Sequence, residues 1–223
     1  MSELSVFDVL GPKMIGPSSS HTAGACRIGK VANKMTKGKI VSAKFFLHGS
    51  FSKTYRGHGT DRALVGGLLG FDPDDQRIVY SFDLAREQGV SYEFIETDLG
   101  DVHTNSVMIR VENHEGESVY VTGASIGGGN VVITEINGLK IRFTGEYFTL
   151  VVPHFDRPGI IAKVTARLAS NTVNIAFMRV YRHEKGQEAF MIIESDEIID
   201  QDSIDEIKWI DGVTDAYSIN IRH

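Results

Sequence analysis

Cysteine is nearly absent from this sequence: Cys26 is the only one in 223 residues. A single thiol excludes an internal disulfide, and it excludes a multi-cysteine metal or iron–sulfur site built by this chain alone. Long apolar runs are missing too, and none approaches the roughly 20 residues that cross a bilayer. The first residues, Met1-Ser2-Glu3-Leu4-Ser5-Val6-Phe7-Asp8, lack the basic start and apolar stretch of a secretory signal. A soluble protein of the reducing cytoplasm, with no membrane partner, is therefore expected. Positive charge is in deficit, with 23 Lys+Arg against 29 Asp+Glu and a net charge of −6. That balance argues against a nucleic-acid partner, whose phosphates call for a basic surface. Low-complexity segments and internal repeats are also lacking, as is a helical His-x-x-x-His pair that would suggest zinc.

What is present is an ordinary globular balance, 42% hydrophobic and 23% charged, with room for one large domain or two small ones. The boundary is expected near Thr144-Gly145-Glu146, giving domains 1–145 and 146–223. In the first, Ile28, Val31, Ala32 and Met35 recur at helical spacing, so a helix is expected from about His21 to Met35. Val41–Leu47 reads as a strand, a second helix starts near Asp61, and Ser91–Ile95 reads as another strand. Asn105–Glu112 with Ser118–Thr122, and Val131–Ile136 with Leu139–Phe143, read as hairpins; Asn137-Gly138 is a strong two-residue turn signal. Helices first and antiparallel strands later make a mixed α+β domain. The second domain runs strand (147–152), turn (His154–Gly159), helix from Ile160, strands at 173–182 and 188–194, an acidic helix near 203–209 and a strand at 213–221. This βαββαβ order is ferredoxin-like.

Two segments share one design. Gly16-Pro17-Ser18-Ser19-Ser20-His21-Thr22 sets hydroxyls and an imidazole at the start of the first helix; Gly57-His58-Gly59-Thr60-Asp61 sets an imidazole between glycines at the start of the second. Unsatisfied N–H groups at a helix start attract carboxylate or phosphate, and an imidazole there can move a proton near neutral pH. Ser20, Thr60 and Asp61 are equally ordinary helix-capping types. Asp101-Val102-His103-Thr104-Asn105 adds a third imidazole; His103 and Asn105 share one strand face if that stretch is extended. Ser125-Ile126-Gly127-Gly128-Gly129-Asn130 is a glycine loop whose amides could cradle an anion, without the spacing of a nucleotide loop.

In their order, Ile15-Gly16-Pro17-Ser18-Ser19-Ser20-His21-Thr22, Gly49-Ser50-Phe51, Gly57-His58-Gly59-Thr60-Asp61-Arg62 and Ser125-Ile126-Gly127-Gly128-Gly129 resemble the β chain of the bacterial iron–sulfur-dependent L-serine dehydratases, over about residues 5–143. The C-terminal part resembles an ACT domain, with Asp156-Arg157-Pro158-Gly159 in its first turn and Val173-Asn174-Ile175 opening its second strand. The N-terminal part is also similar to the allosteric substrate-binding domain of some phosphoglycerate dehydrogenases. The resemblance implies a lyase that converts L-serine to pyruvate and ammonia, using a 4Fe-4S cluster whose cysteines belong to a separate α subunit. The chemistry of that elimination points to His58, held between glycines, as the base, with His21 and His103 orienting substrate or relaying protons, and Asp61 orienting an imidazole or capping its helix. Ser18, Ser19, Ser20 and Thr22, with Gly59, Thr60, Asn105, Ser125, Gly127 and Gly128, are the expected substrate-binding set. The family often shows His-Pro-Asn where this sequence has His103-Thr104-Asn105. An ACT ligand would lie near Asp156, Pro158, Gly159 and Asn174, and homodimerisation through either domain is expected. The competing reading is a non-catalytic regulator that pairs an anion-binding domain with an ACT sensor.

Overall fold

The computed structural model describes residues 13–221. Residues 5–12, where the resemblance begins, and His223 lie outside them. The chain divides into two compact units that part between Gly138 and Leu139.

The first unit opens with a π-wound turn, Ser19–Ala23, running into helix α1, Gly24–Met35. Ile28, Val31, Ala32 and Met35 are buried as their spacing requires, and Gly38 (φ 63°) turns the chain away. Strand β1 (Ile40–Leu47) leads to three helices, α2 (Gly49–Thr54), α3 (Thr60–Leu68) and α4 (Ser81–Glu87), with a 3-10 turn at Gln76–Tyr80. Strands β2 (Ser91–Glu96), β3 (Ser106–Asn113), β4 (Ser118–Gly127) and β5 (Asn130–Ile136) follow, and β6 (Leu139–Phe143) comes just past the division. They form one sheet in the order β2-β1-β3-β4-β5-β6. β1 and β2 pair in parallel, which the α2–α4 crossover permits, and β1-β3, β3-β4 and β4-β5 are antiparallel.

Burial alternates along β1 and β3, where Ala43, Phe45, Leu47, Val107, Ile109 and Val111 face inward. This period of two lays an apolar face under α1, which packs on β3, β4, β5 and α3. Helices α1 and α3 touch backbone to backbone through two glycines. A Cβ on Gly29 would lie 2.4 Å from the Leu64 carbonyl oxygen, and one on Gly67 would lie 1.9 Å from that of Cys26. The short α2 and α4 were not expected: under two turns long, neither repeats its apolar pattern enough to register as periodic.

The second unit contains β7 (Phe148–Phe155), α5 (Ile160–Ser170), β8 (Ile175–Arg182), β9 (Glu188–Ser195), α6 (Gln201–Lys208) and β10 (Tyr217–Ile219). Its sheet runs β10-β7-β9-β8, every neighbouring pair antiparallel, so the βαββαβ expectation describes it. Leu150, Val152, Met191 and Ile193 bury one sheet face against Ile160, Val164, Leu168, Ile204 and Ile207 of the two helices. Several boundaries move: β8, expected from 173, begins at Ile175, and the acidic helix spans Gln201–Lys208. His154 and Phe155, expected in a turn, extend β7 because they pair with Ala189 and Glu188. The last strand is shorter than 213–221: the N–H groups of Thr214 and Asp215 both point to the Pro153 carbonyl (2.9 and 3.4 Å), a bulge that separates the lone Val213–His154 bridge from β10.

Candidate active site

Ser18, rather than Ser20, caps the first helical segment. It is extended (φ −141°), and its Oγ accepts the His21 amide N–H at 3.2 Å, while its carbonyl accepts the Thr22 N–H at 2.8 Å. The wide π turn that follows carries the His21 ring into a net of hydroxyls. Nδ1 lies 3.0 Å from Ser20 Oγ and 3.4 Å from Ser18 Oγ, and Nε2 lies 3.1 Å from Ser50 Oγ. Phe51 presents its ring edge-on at 5.4 Å. Burial, and then the neighbouring His58, lower the pKa of His21 from 6.5, so the ring is neutral at neutral pH.

His58 comes to His21 from the other segment, with ring centroids 4.8 Å apart and planes inclined at 56°. Its main chain is tied twice: its N–H donates to the Thr54 carbonyl (3.1 Å), and its carbonyl accepts the Thr22 hydroxyl (3.3 Å). Gly59 then turns in the left-handed region (φ 68°), where only glycine fits without strain, and starts α3. Asp61 accepts the Arg62 amide N–H at 2.8 Å, and burial raises its pKa. Its hydrogen bond is thus to its own helix start, not to an imidazole.

The glycine-loop end of β4 meets α1. A Cβ on Gly24 would fall 2.1 Å from Ser125 Oγ, so only glycine lets Ser125 press against the helix start. Ser125 N–H donates to the Asn105 carbonyl at 3.0 Å, which brings Asn105 to the same spot. Gly127 and Gly128 form the turn beyond (φ 104° and 61°), and the Gly129 carbonyl accepts from the buried Arg27 at 2.5 Å. β3 begins at Ser106, so His103 and Asn105 lie in a turn and not on one strand face. His103 is exposed, and its Nδ1 accepts the Asn105 N–H at 3.1 Å. Thr104, standing where the family often has proline, receives the Ser50 N–H on its carbonyl (2.7 Å) and its Oγ1 (3.0 Å).

The structure therefore gathers Ser18, Ser20, His21, Thr22 and His58 in one cluster and brings Asn105 and Ser125 to the start of α1. His103 and Asp61 make their hydrogen bonds within their own segments. Ser50 was missed; it stands 29 residues from His21, and no spacing rule joins the two. Several buried polar atoms lack any partner among the described residues: His58 Nδ1, Thr60 Oγ1, Asn105 Oδ1 and Ser125 Oγ. Each such atom costs about 1–3 kcal/mol, a standing penalty that a polar ligand would relieve.

The chain's own residues do not fit an iron–sulfur cluster. Cys26 is fully buried, its thiol donates to the Phe71 carbonyl at 3.3 Å, and burial, with Asp72 adding to it, pushes its pKa up to about 12. Among the described residues no three His, Cys, Asp or Glu side chains group as metal ligands. No helix among them is long and apolar enough to cross a membrane.

Fold and site together define a two-unit α+β chain with an imidazole pair in its first unit and an ACT domain as its second; residues 148–208 match the family model of the ACT domain. Residues 5–88 match the model described as serine dehydratase beta chain. Along nearly its whole length the chain is 42% identical to the L-serine dehydratase beta chain of Peptoniphilus asaccharolyticus (222 residues, 99% of this chain and 100% of that one). It is 43% identical to the probable L-serine dehydratase beta chain of Bacillus subtilis (219 residues, 98% and 99%). A shorter stretch of 117 residues, 52% of this chain and 22% of the other, is 32% identical to the D-3-phosphoglycerate dehydrogenase of Methanocaldococcus jannaschii. The chain belongs to the L-serine dehydratase β-chain family.

Proposed function

We propose that this chain is the β subunit of an L-serine ammonia-lyase, which turns L-serine into pyruvate and ammonia in the cytoplasm only when joined to a cysteine-bearing α subunit. The observation that carries this reading is the His21–His58 pair, tilted ring to ring at 4.8 Å beside hydroxyls and a helix start. A sensor needs the anion site but not the paired imidazoles. The functional domains are taken as 1–145 and 146–223, because β6 belongs to the first sheet.

Loss of water from serine requires removal of a proton from Cα, which is a weak acid. The start of the first helical segment, with the hydroxyls of Ser18, Ser19, Ser20 and Thr22 around it, suits the substrate carboxylate and the charge that spreads onto it as the proton leaves. Asn105, Ser125, Gly127 and Gly128 add polar atoms on the other side of that helix start, and Gly59 and Thr60 do so next to His58. His58 is the base. His21, neutral and held by hydroxyls, orients His58 and substrate; His103 serves as a proton relay, and Asp61 accepts the Arg62 N–H in the first turn of α3. The 4Fe-4S cluster that the family resemblance implies belongs to the α subunit, since Cys26 cannot hold it. The ACT unit is assigned to dimerisation or to sensing a small ligand near Asp156, Pro158, Gly159 and Asn174. Asp156 already accepts from the Gly186 N–H (3.2 Å) and from Arg182 (2.5 Å), which in that order pull its pKa down.

Hydrogen–deuterium exchange of the assembled two-chain enzyme, with and without L-serine, tests this location. Slower exchange is expected in residues 16–24, 57–61 and 123–129. Protection confined to the ACT unit would favour the sensor instead.

A further inference from the structure

Ser50 completes the imidazole net, yet it comes from neither helix-start segment. The hydrogen bonds around His21 can be threaded in one direction from the one donor that the main chain fixes. The His21 amide donates to Ser18 Oγ at 3.2 Å. Ser18 can then send its own hydroxyl hydrogen to Ser20 Oγ at 3.3 Å, and Ser20 can send its hydrogen to His21 Nδ1 at 3.0 Å. A neutral imidazole that accepts at Nδ1 carries its proton on Nε2, and Nε2 faces Ser50 Oγ at 3.1 Å. In that direction Ser50 accepts from the ring. Its own hydrogen is the last in the series and has no acceptor among the described residues. The backbone of Ser50 is fixed as well: Thr104 receives its N–H, and its carbonyl accepts the Thr54 hydroxyl at 2.7 Å. A Cβ on Gly49 would lie 2.5 Å from the Thr104 carbonyl oxygen, so these segments touch at their main chains.

We propose that Ser50 is a substrate-binding residue, the end of a directed chain of donors (His21 N–H, Ser18, Ser20, the His21 ring, Ser50) that offers its hydroxyl hydrogen to the carboxylate of the bound amino acid. Each donor in such a chain polarises the next, so the final O–H is a stronger donor than an isolated serine. The inference rests on the L-serine reading of the same site and deepens it.

Two measurements on Ser50→Ala and Ser50→Thr decide it. In the full chain, 15N shifts of the His21 ring, assigned against a His21→Gln spectrum, are expected to show the Nε2–H tautomer in the wild type. In Ser50→Ala, which leaves Nε2 no acceptor, they shift toward Nδ1–H. In the assembled enzyme, Ser50→Ala is expected to raise KM for L-serine about tenfold, the effect of one lost hydrogen bond to a charged group. Its kcat should stay within about threefold, and Ser50→Thr should restore both properties. A wild-type ring protonated on Nδ1, or an unchanged KM in Ser50→Ala, overturns the proposal. If the assembled wild type does not act on serine at all, the functional reading fails, while the ring spectrum still decides the direction of the chain.

Discussion

Replacing His58 by alanine is expected to lower kcat of the assembled enzyme by about 10²–10⁴-fold, the usual worth of a positioned general base, while the chain stays folded. The ring makes this a clean test. Its Nδ1 is buried without a partner, so no hydrogen bond of that atom is lost with it. The two ties that hold the segment, His58 N–H to Thr54 O and Thr22 Oγ1 to His58 O, are made by the main chain of residue 58 and survive truncation. Turnover measured beside a thermal melt separates chemistry from folding. Near-normal activity would remove His58 from the mechanism. A collapse of the melt would make the ring structural. His21 is a poorer choice for this test, because its removal strips partners from Ser18, Ser20 and Ser50 together.

Gly67→Ala is expected to destabilise the first unit by about 3 kcal/mol or more, at the upper end of what overpacking costs. Helix propensity alone would favour alanine by up to about 1 kcal/mol. The clash outweighs it, because the added Cβ would lie 1.9 Å from the Cys26 carbonyl oxygen and 2.8 Å from the Lys30 nitrogen. Both are backbone atoms of α1, and neither can swing aside. Relief requires α1 and α3 to separate, and those helices carry the His21 and His58 segments at their starts. Denaturant unfolding should show the loss, with Gly57→Ala as control, since the nearest atom to its Cβ is 3.8 Å away. A Gly67→Ala chain as stable as the wild type would mean that the two helices do not approach as closely as described.

Long periodic elements were legible in the sequence for a physical reason: α1 repeats its apolar face over three turns, and the strands alternate over several residues. The βαββαβ order of the second unit followed from such signals and from its turns. The short helices α2 and α4 were not legible. Neither was the Ser18 cap, because three consecutive serines offer the same chemistry and only the π-wound turn selects one. Pairing the two helix-start motifs needed no geometry, since each was read as an anion site with an imidazole. Their meeting at 4.8 Å depends on the glycine contact between α1 and α3. Ser50 and Thr104 gained roles only through the tertiary fold. His103 shows the opposite case, a histidine singled out by type that the structure leaves exposed and bonded within its own turn.

In the proposed division of labour, this chain supplies acid–base and anion-holding groups to a metal centre carried by another polypeptide. Pyruvate release from L-serine, assayed anaerobically with the purified chain, the purified α subunit and the two mixed, tests it most directly. The mixture alone should produce pyruvate. Turnover by the purified chain, with neither a second subunit nor iron present, would contradict it.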